Sequence, residues 1–475
     1  MEKYVDAVCS EIMMRSNEVT IADQATLYFG GGTPSLLSEK LLGKLVEALQ
    51  KNGCWLQPAE ATIEVNPGTA DLDKLRFFKD LGFDRISFGV QSLNDAELRA
   101  VGRIHTANEA LDAITVAEKA GFTRVSADLI YGLPEQSLQT LKTSLQNLTA
   151  AGLQHLSVYG LTIEKNTPLA GMLDKGKVEL PDEDCQLAMY ELVQEYLEAQ
   201  GLHRYEISNY AVSGQESRHN LVYWHYLPYL SFGSSACSFN GSQRFTATDS
   251  VTDYIESIQS GKSCGGFEDL TKEMQLSEYL FMGLRTTVGI DLIETEQRFG
   301  CDVMLEFGVE LEKFIRGNLV FCDIEHRRMR LTEQGMRFSS SAEPVGSRTI
   351  ARKYDLGLSP ATIRNEMSDL ELLGYLEQPH TSAGRIPSAQ AYRFYVDALI
   401  EPGTLTDNDM ALIDGWYNER RRNIDDIFQS TAKILSRMTQ NVSMVLTNQQ
   451  TIANFCYLKF LPLDSQHAIS CIVAD

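Results

Sequence analysis

Thr26-Leu27-Tyr28-Phe29-Gly30-Gly31-Gly32-Thr33-Pro34-Ser35 is a short apolar run that ends on three glycines. The run has the length of a strand, and the glycines let backbone amides approach a ligand with no Cβ in the way. The same pattern repeats along the chain. Ala61-Thr62-Ile63-Glu64-Val65 ends on Asn66-Pro67-Gly68, and Arg85-Ile86-Ser87-Phe88-Gly89-Val90 ends on Gln91-Ser92. Arg124-Val125-Ser126-Ala127-Asp128-Leu129-Ile130 leads to Gly132-Leu133-Pro134, and His155-Leu156-Ser157-Val158-Tyr159 follows. Apolar residues at helical spacing separate these runs: Leu41, Leu42, Leu45, Val46 and Leu49, then Leu72, Leu75 and Phe78, then 110–120 and 138–151. A helix carrying Val5, Val8 and Ile12 precedes them all. Strands alternating with helices predict a parallel sheet under helices, with ligands at the carboxyl ends of the strands.

At 475 residues, 43% hydrophobic and 22% charged, the chain suggests roughly three globular domains. A net charge of −22 argues against the whole chain as a general polyanion binder. No apolar run approaches the ~18 residues that span a bilayer. The start, Met1-Glu2-Lys3-Tyr4-Val5-Asp6, lacks the apolar stretch of a secretory signal, and the odd cysteine count fits reduced thiols, so a cytoplasmic location is expected.

Further on, 182–200 reads as one amphipathic helix, and an aromatic-rich stretch runs from Tyr205 to Phe239. Residues 270–335 read as helical, with strand-like pieces near Val320 and Met329, and the polar stretch 337–346 marks a boundary. Thr349–Tyr354 begins a short helix, and Ser359 caps another with Pro360 at its first position. Two extended pieces follow, Tyr375–Glu377 and Gly384–Pro387, completing the outline of a helix-turn-helix with a wing. Residues 405–440 read as a charged helix, and the chain closes on 468–475, a strand expected to lack a partner.

The set Tyr28–Ser35, Glu64-Val65-Asn66-Pro67, Phe88-Gly89-Val90-Gln91-Ser92 and Asp128–Pro134, in this order, resembles the radical-SAM family of oxygen-independent coproporphyrinogen III oxidases, and within it the HemW heme chaperones, over roughly residues 1–340. The resemblance implies an α/β fold, a partial (β/α) barrel with an α+β C-terminal extension, that takes S-adenosylmethionine at its strand ends. Gly31, Gly32 and Thr33 would meet the methionine part, Glu64 the ribose hydroxyls, and Gln91, Arg103 and Asp128 would complete the cradle. Taken without those motifs, Arg103 reads as a helix-surface charge.

Arg218-His219-Asn220-Leu221-Val222-Tyr223-Trp224 resembles the family's HNxxYW signature, which implies heme or porphyrin as a partner and His219 as the heme contact. Equally, His219 reads as a residue bonded at the barrel mouth, with Tyr223 and Trp224 in a core. The family holds a [4Fe–4S] cluster on a CxxxCxxC loop. No two of the nine cysteines here lie within four residues of each other. The expectation is a chain that binds cofactor and heme but does no radical chemistry, with no catalytic residue and no metal ligand.

Leu358-Ser359-Pro360-Ala361-Thr362-Ile363-Arg364-Asn365 and His380-Thr381-Ser382-Ala383-Gly384-Arg385 resemble the heat-inducible transcription repressor HrcA over roughly residues 343–475. That resemblance implies a winged helix-turn-helix, the start of an α+β dimerisation domain, a homodimer and an inverted-repeat operator DNA. Ser359, Thr362, Arg364, Asn365 and Arg385 would face the DNA. Six basic residues (Arg348, Arg352, Lys353, Arg364, Arg385, Arg393) balance six acidic ones (Asp355, Glu366, Asp369, Glu371, Glu377, Asp397), so this block is neutral in an acidic chain. A winged helix used only for protein contacts is the other reading of it. Expected domains are 1–170, 171–340, 343–400 and 401–475. Whole-chain readings are a heme and cofactor binder, a repressor carrying a passenger, or a join between neighbouring genes.

Overall fold

The computed structural model describes residues 1–18, 21–22, 24–55, 58–164, 167–340, 360–373, 376–377, 386–387, 455–462 and 468–474. It divides into two units, Met1–Tyr392 and Arg393–Asp475.

In the first unit, five strands pair in parallel in chain order: β1 (Thr26–Phe29), β2 (Glu60–Val65), β3 (Arg85–Gln91), β4 (Arg124–Tyr131) and β5 (His155–Gly160). Two short strands missed by pattern reading, β6 (His203–Arg204) and β7 (Asn209–Ala211), extend the sheet antiparallel beyond β5. Sequence periodicity had too little to work on in pieces of two and three residues. Because β5 pairs with β7, the sheet stays open, with β1 at its edge among the described residues.

Register fixes which residues share a face. Tyr28 pairs with Thr62, Glu64 with Ser87, Ser87 with Ser126 and Asp128 with Ser157. By the two-residue alternation of a strand, these polar residues point to one side. Ile63, Ile86, Phe88, Ala127, Leu129, Leu156 and Val158 point to the other, where they are buried in the main core. That core is completed by α1 (Glu2–Arg15), α2 (Glu39–Lys51), α3 (Leu72–Asp80), α5 (Ala107–Lys119) and α6 (Leu138–Ala150), through residues such as Leu42, Leu75, Phe78, Ile114 and Leu145, while the short α4 (Asp95–Ala100) buries Leu98 apart from it. Side chains cap five of these helices: Ser38, Asp71, Asn94, Thr106 and Ser137 each accept from a first-turn amide.

The polar face is half covered. Glu60, Arg85 and His155 are buried at its amino-terminal end. Arg85 donates to the carbonyls of Gln215 and Glu216, Glu60 accepts from the His219 amide at 3.1 Å, and His155 bonds Tyr205 at 2.8 Å. The returning segment 204–224 thus closes one end of the sheet and leaves the carboxyl end open.

Residues 231–264 are tied to α1 by a buried network. Glu11 binds Arg15 at 2.7 Å and accepts from Tyr254 at 2.6 Å and from the Gly233 amide at 2.9 Å. A separate core around Tyr279, Ile290 and Met329 gathers helix Lys272–Gly283, helix Leu292–Phe299 and the hairpin Val320–Asp323/Arg328–Leu331.

Helix Pro360–Leu372 and the antiparallel pair Leu376–Glu377/Ile386–Pro387 follow. The helices expected at 349–354 and 405–440 lie outside the described residues. In the second unit, Ala468–Ala474 pairs antiparallel with Phe455–Pro462. The expectation of an unpartnered terminal strand is therefore corrected. Its partner precedes it in the chain as a run of aromatic and branched residues whose register a lone-strand reading did not test.

Candidate functional site

A cavity of about 300 Å³ opens at the carboxyl ends of β1 to β4, lined by Gly32, Thr33, Glu64, Asn66, Ser87, Gly89, Gln91, Arg103 and Asp128. Six of the seven residues expected to form the cofactor cradle meet here: Gly32, Thr33, Glu64, Gln91, Arg103 and Asp128. Gly31 adjoins them, exposed, in a left-handed backbone at φ 78°.

The three glycines do different work. A Cβ on Gly30 would lie 2.5 Å from the Tyr28 ring and 2.8 Å from the Glu64 carboxyl group. Gly30 is thus demanded by packing. At Gly31 and Gly32 a Cβ would meet nothing within 4 Å, so the backbone there is bare toward open space.

Tyr28 donates to Glu64 Oε1 at 2.6 Å, which aims the carboxylate. Burial, then the neighbouring Glu64 charge, pushes the Tyr28 hydroxyl well above its ordinary value, so it stays a donor. Asn66 Nδ2 donates to Thr33 Oγ1 at 3.1 Å, tying the β1 loop to β2. Arg103 Nη2 donates to the Gly89 carbonyl at 3.4 Å. Asp128 accepts from Ser87 at 3.3 Å. Desolvation pushes its carboxyl up to about 6, with Glu64 adding to the shift and Ser157, Ser87 and Arg103 opposing it. Gln91 sits at φ 67°, unusual for a residue with a side chain, where the β3–β4 register shifts.

His219 does not line the cavity. Its ring stacks on Tyr28 at 4.8 Å and 17°. Both ring nitrogens are engaged, Nδ1 with Thr26 at 2.8 Å and Nε2 with Tyr223 at 2.9 Å. Burial draws its pKa down to about 4, so the ring is neutral. Its place is behind Tyr28, and through Tyr28 behind Glu64.

Sequence reading passed over Tyr28, Asn66 and Ser87 as site residues. The signal for them was the two-residue alternation through Glu64 and Asp128, with their strand registers supplied by the fold. Of the expected DNA-facing residues, Thr362 is exposed on helix Pro360–Leu372. Arg364 and Asn365 fall on the same helix, but their side chains lie outside the described residues, as do Ser359 and Arg385.

Residues 7–148 match the model of the Radical SAM superfamily, 270–338 that of the HemN C-terminal domain, and 425–475 that of the HrcA protein C terminal domain. Heme chaperone HemW of Bacillus subtilis is 34% identical over 305 residues, covering 63% of this chain and 80% of that protein. Heme chaperone HemW of Lactococcus lactis is 31% identical over 337 residues, covering 71% and 88%. Among solved structures, coproporphyrinogen III oxidase (HemN) from Escherichia coli superposes with a TM-score of 0.61 at 22% identity, covering 75% of this chain and 83% of that one, a likeness of fold.

Proposed function

Since the chain belongs to the HemW family of the radical-SAM superfamily, we propose that its strand-end cavity binds S-adenosylmethionine and that the protein handles heme. The observation that carries the proposal is the cavity lining: bare glycine backbone on one side, and two carboxylates, Glu64 and Asp128, with one guanidinium, Arg103, on the other. That lining carries one net negative charge when all three are ionised. It complements a ligand with a sulfonium and an ammonium against a single carboxylate. Gly31, Gly32 and Thr33 would receive the amino-acid end, and Glu64, held by Tyr28, would accept from the ribose hydroxyls. Gln91, Arg103 and Asp128 would close the far side. Bound S-adenosylmethionine supplies an electrophilic sulfonium.

The residues present do not fit a [4Fe–4S] cluster. Among the described residues no group of three His, Cys, Asp or Glu side chains is placed to hold a metal. Ligand binding is tested by calorimetric titration with S-adenosylmethionine: the parent binds and Glu64→Ala loses most of the affinity. A parent that takes up no ligand refutes it.

Heme handling is supported by the two heme chaperones to which the chain is similar and by the segment 218–224. To ligate iron, His219 would have to give up Thr26 or Tyr223. A hemin titration in which His219→Ala abolishes the Soret shift supports ligation by this residue; an unchanged spectrum assigns it to holding Tyr28.

A second reading, a heat-shock repressor acting through a homodimer on operator DNA, is favoured by the HrcA match at 425–475 and by the helix and strand pair at 360–387. A gel shift on an inverted-repeat operator at stated salt tests it, and no shift at low salt ends it. No helix among the described residues is long and apolar enough to cross a membrane.

A further inference from the structure

The cavity rim rests on buried polar side chains that do not touch the cavity. Ser92 and Glu97 are fully buried, and Gln136 nearly so. Ser92 Oγ donates to Glu97 Oε2 at 2.6 Å, and Gln136 Nε2 donates to the same oxygen at 3.1 Å. Gln136 in turn accepts from the amides of Gly132 at 2.7 Å and Leu133 at 3.3 Å, and reaches the Ile130 carbonyl at 3.0 Å. One glutamate oxygen therefore ties the turn after β3 to the turn after β4.

Three cavity elements depend on that tie. Gln91, held at φ 67°, directly precedes Ser92. A left-handed backbone costs a residue with a side chain about 1–3 kcal/mol and persists only where its surroundings over-determine it. Ser92 supplies that constraint, because its hydroxyl also accepts from the Asn94 amide at 3.0 Å while the Leu93 amide donates to Ser144 at 3.2 Å. Arg103 follows the helix that carries Glu97, and its amide donates to the Leu98 carbonyl at 2.9 Å. His105, beyond it, bonds the Val90 carbonyl at 3.0 Å, returning the loop to β3. The third element is the β4 end, which carries Asp128. Glu97 Oε1, meanwhile, is buried with no hydrogen-bond partner. An idle carboxylate oxygen in a core costs stability, so stability alone does not favour glutamate here.

We propose that Glu97 is a positioning residue for the strand-end pocket: by holding Ser92 and Gln136 together it sets Gln91, Arg103 and the β4 end at the spacing that receives the adenosyl ligand. The inference rests on the reading of the cavity as an S-adenosylmethionine site. Glu97→Leu keeps the bulk and removes the acceptor, whereas Glu97→Gln keeps a carbonyl oxygen for both donors.

Calorimetric titration of the full chain with S-adenosylmethionine decides it. Glu97→Leu is expected to bind about ten-fold more weakly, the lower end of what losing an outer-shell partner costs at metal sites. Glu97→Gln should return to within about two-fold of the parent, since the two donors keep their acceptor. Ser92→Ala, which removes one arm and no charge, should fall between them and serves as the test if Glu97→Leu does not fold. Parent-like affinity in Glu97→Leu, or in Ser92→Ala where it stands in, overturns the proposal. Glu97→Gln as weak as Glu97→Leu also overturns it, because charge rather than the bracket would then matter. If the parent itself takes up no ligand, the pocket reading fails and this inference falls with it; if only the variants match the parent, the pocket stands and the inference alone is lost.

Discussion

Alanine at Gly30 and alanine at Gly32 should have opposite consequences, although the two residues are separated only by Gly31. At Gly30 the new methyl would sit 2.5 Å from Tyr28 Cε1 and 2.8 Å from the Glu64 carboxyl carbon. Neither neighbour yields freely: the ring is stacked on His219 and its hydroxyl is bonded to Glu64. Overpacking of this kind costs about 1–3 kcal/mol, and for a domain of this size each kcal/mol lowers the melting temperature by roughly 2–4 °C. At Gly32 a Cβ meets nothing within 4 Å and the backbone is outside the left-handed region. Gly32→Ala should leave the fold intact or stabilise it by about 0.4–1 kcal/mol through the unfolded chain. Its methyl would instead enter the space proposed for the ligand. A clash of about 1–3 kcal/mol there weakens binding roughly 5- to 150-fold. Differential scanning calorimetry and titration with S-adenosylmethionine, run on both variants, separate the effects. Gly32→Ala with parent affinity would refute the assignment of this backbone to the ligand, and Gly30→Ala with an unchanged melting temperature would refute the packing argument.

Two buried groups give pH dependences of opposite sign. His219 titrates near 4 when folded, because of burial, against 6.5 when unfolded, so the unfolded chain binds the extra proton between those values. Stability from this site is complete above about pH 6.5 and is lost as the pH falls toward 4; urea melts of His219→Gln should lack that loss. Asp128, raised by desolvation to about 6 from 3.8, runs the other way: its ionisation weighs against the fold above pH 6 and has no effect below 3.8. Asp128→Asn should therefore be more stable than the parent near neutral pH and equal to it in acid; a destabilised variant at neutral pH would contradict this. Arg15→Met leaves Glu11 buried without its cation and should destabilise the first unit by about 3–5 kcal/mol in denaturant melts. A loss below about 1 kcal/mol, the worth of a surface pair, would show that water reaches Glu11.

Much of this protein is local and was legible in the sequence. Each of the five parallel strands is a short apolar run ending on glycine, proline or a polar residue, and each helix between them carries its own hydrophobic stripe and cap. Those features need only neighbours in the chain, so the alternation of strand and helix follows from them. Gly32, Thr33, Glu64, Gln91 and Asp128 lie in the strands or just after them, and these residues, with Arg103 beyond a helix, were legible through the resemblance to the family's motifs. What the sequence left undecided depends on pairs far apart in the chain. The surroundings of His219 depend on the fold, which brings Thr26, Tyr28 and Tyr223 around its ring. The difference between Gly30 and Gly32 depends on where Tyr28 and Glu64 lie. The tie between Ser92, Glu97 and Gln136 spans 44 residues from Ser92 to Gln136, and no periodicity marks it. Local patterns set the elements because they act through adjacent residues. Burial and desolvation set the chemistry of the site, and those exist only once distant segments have closed around a side chain.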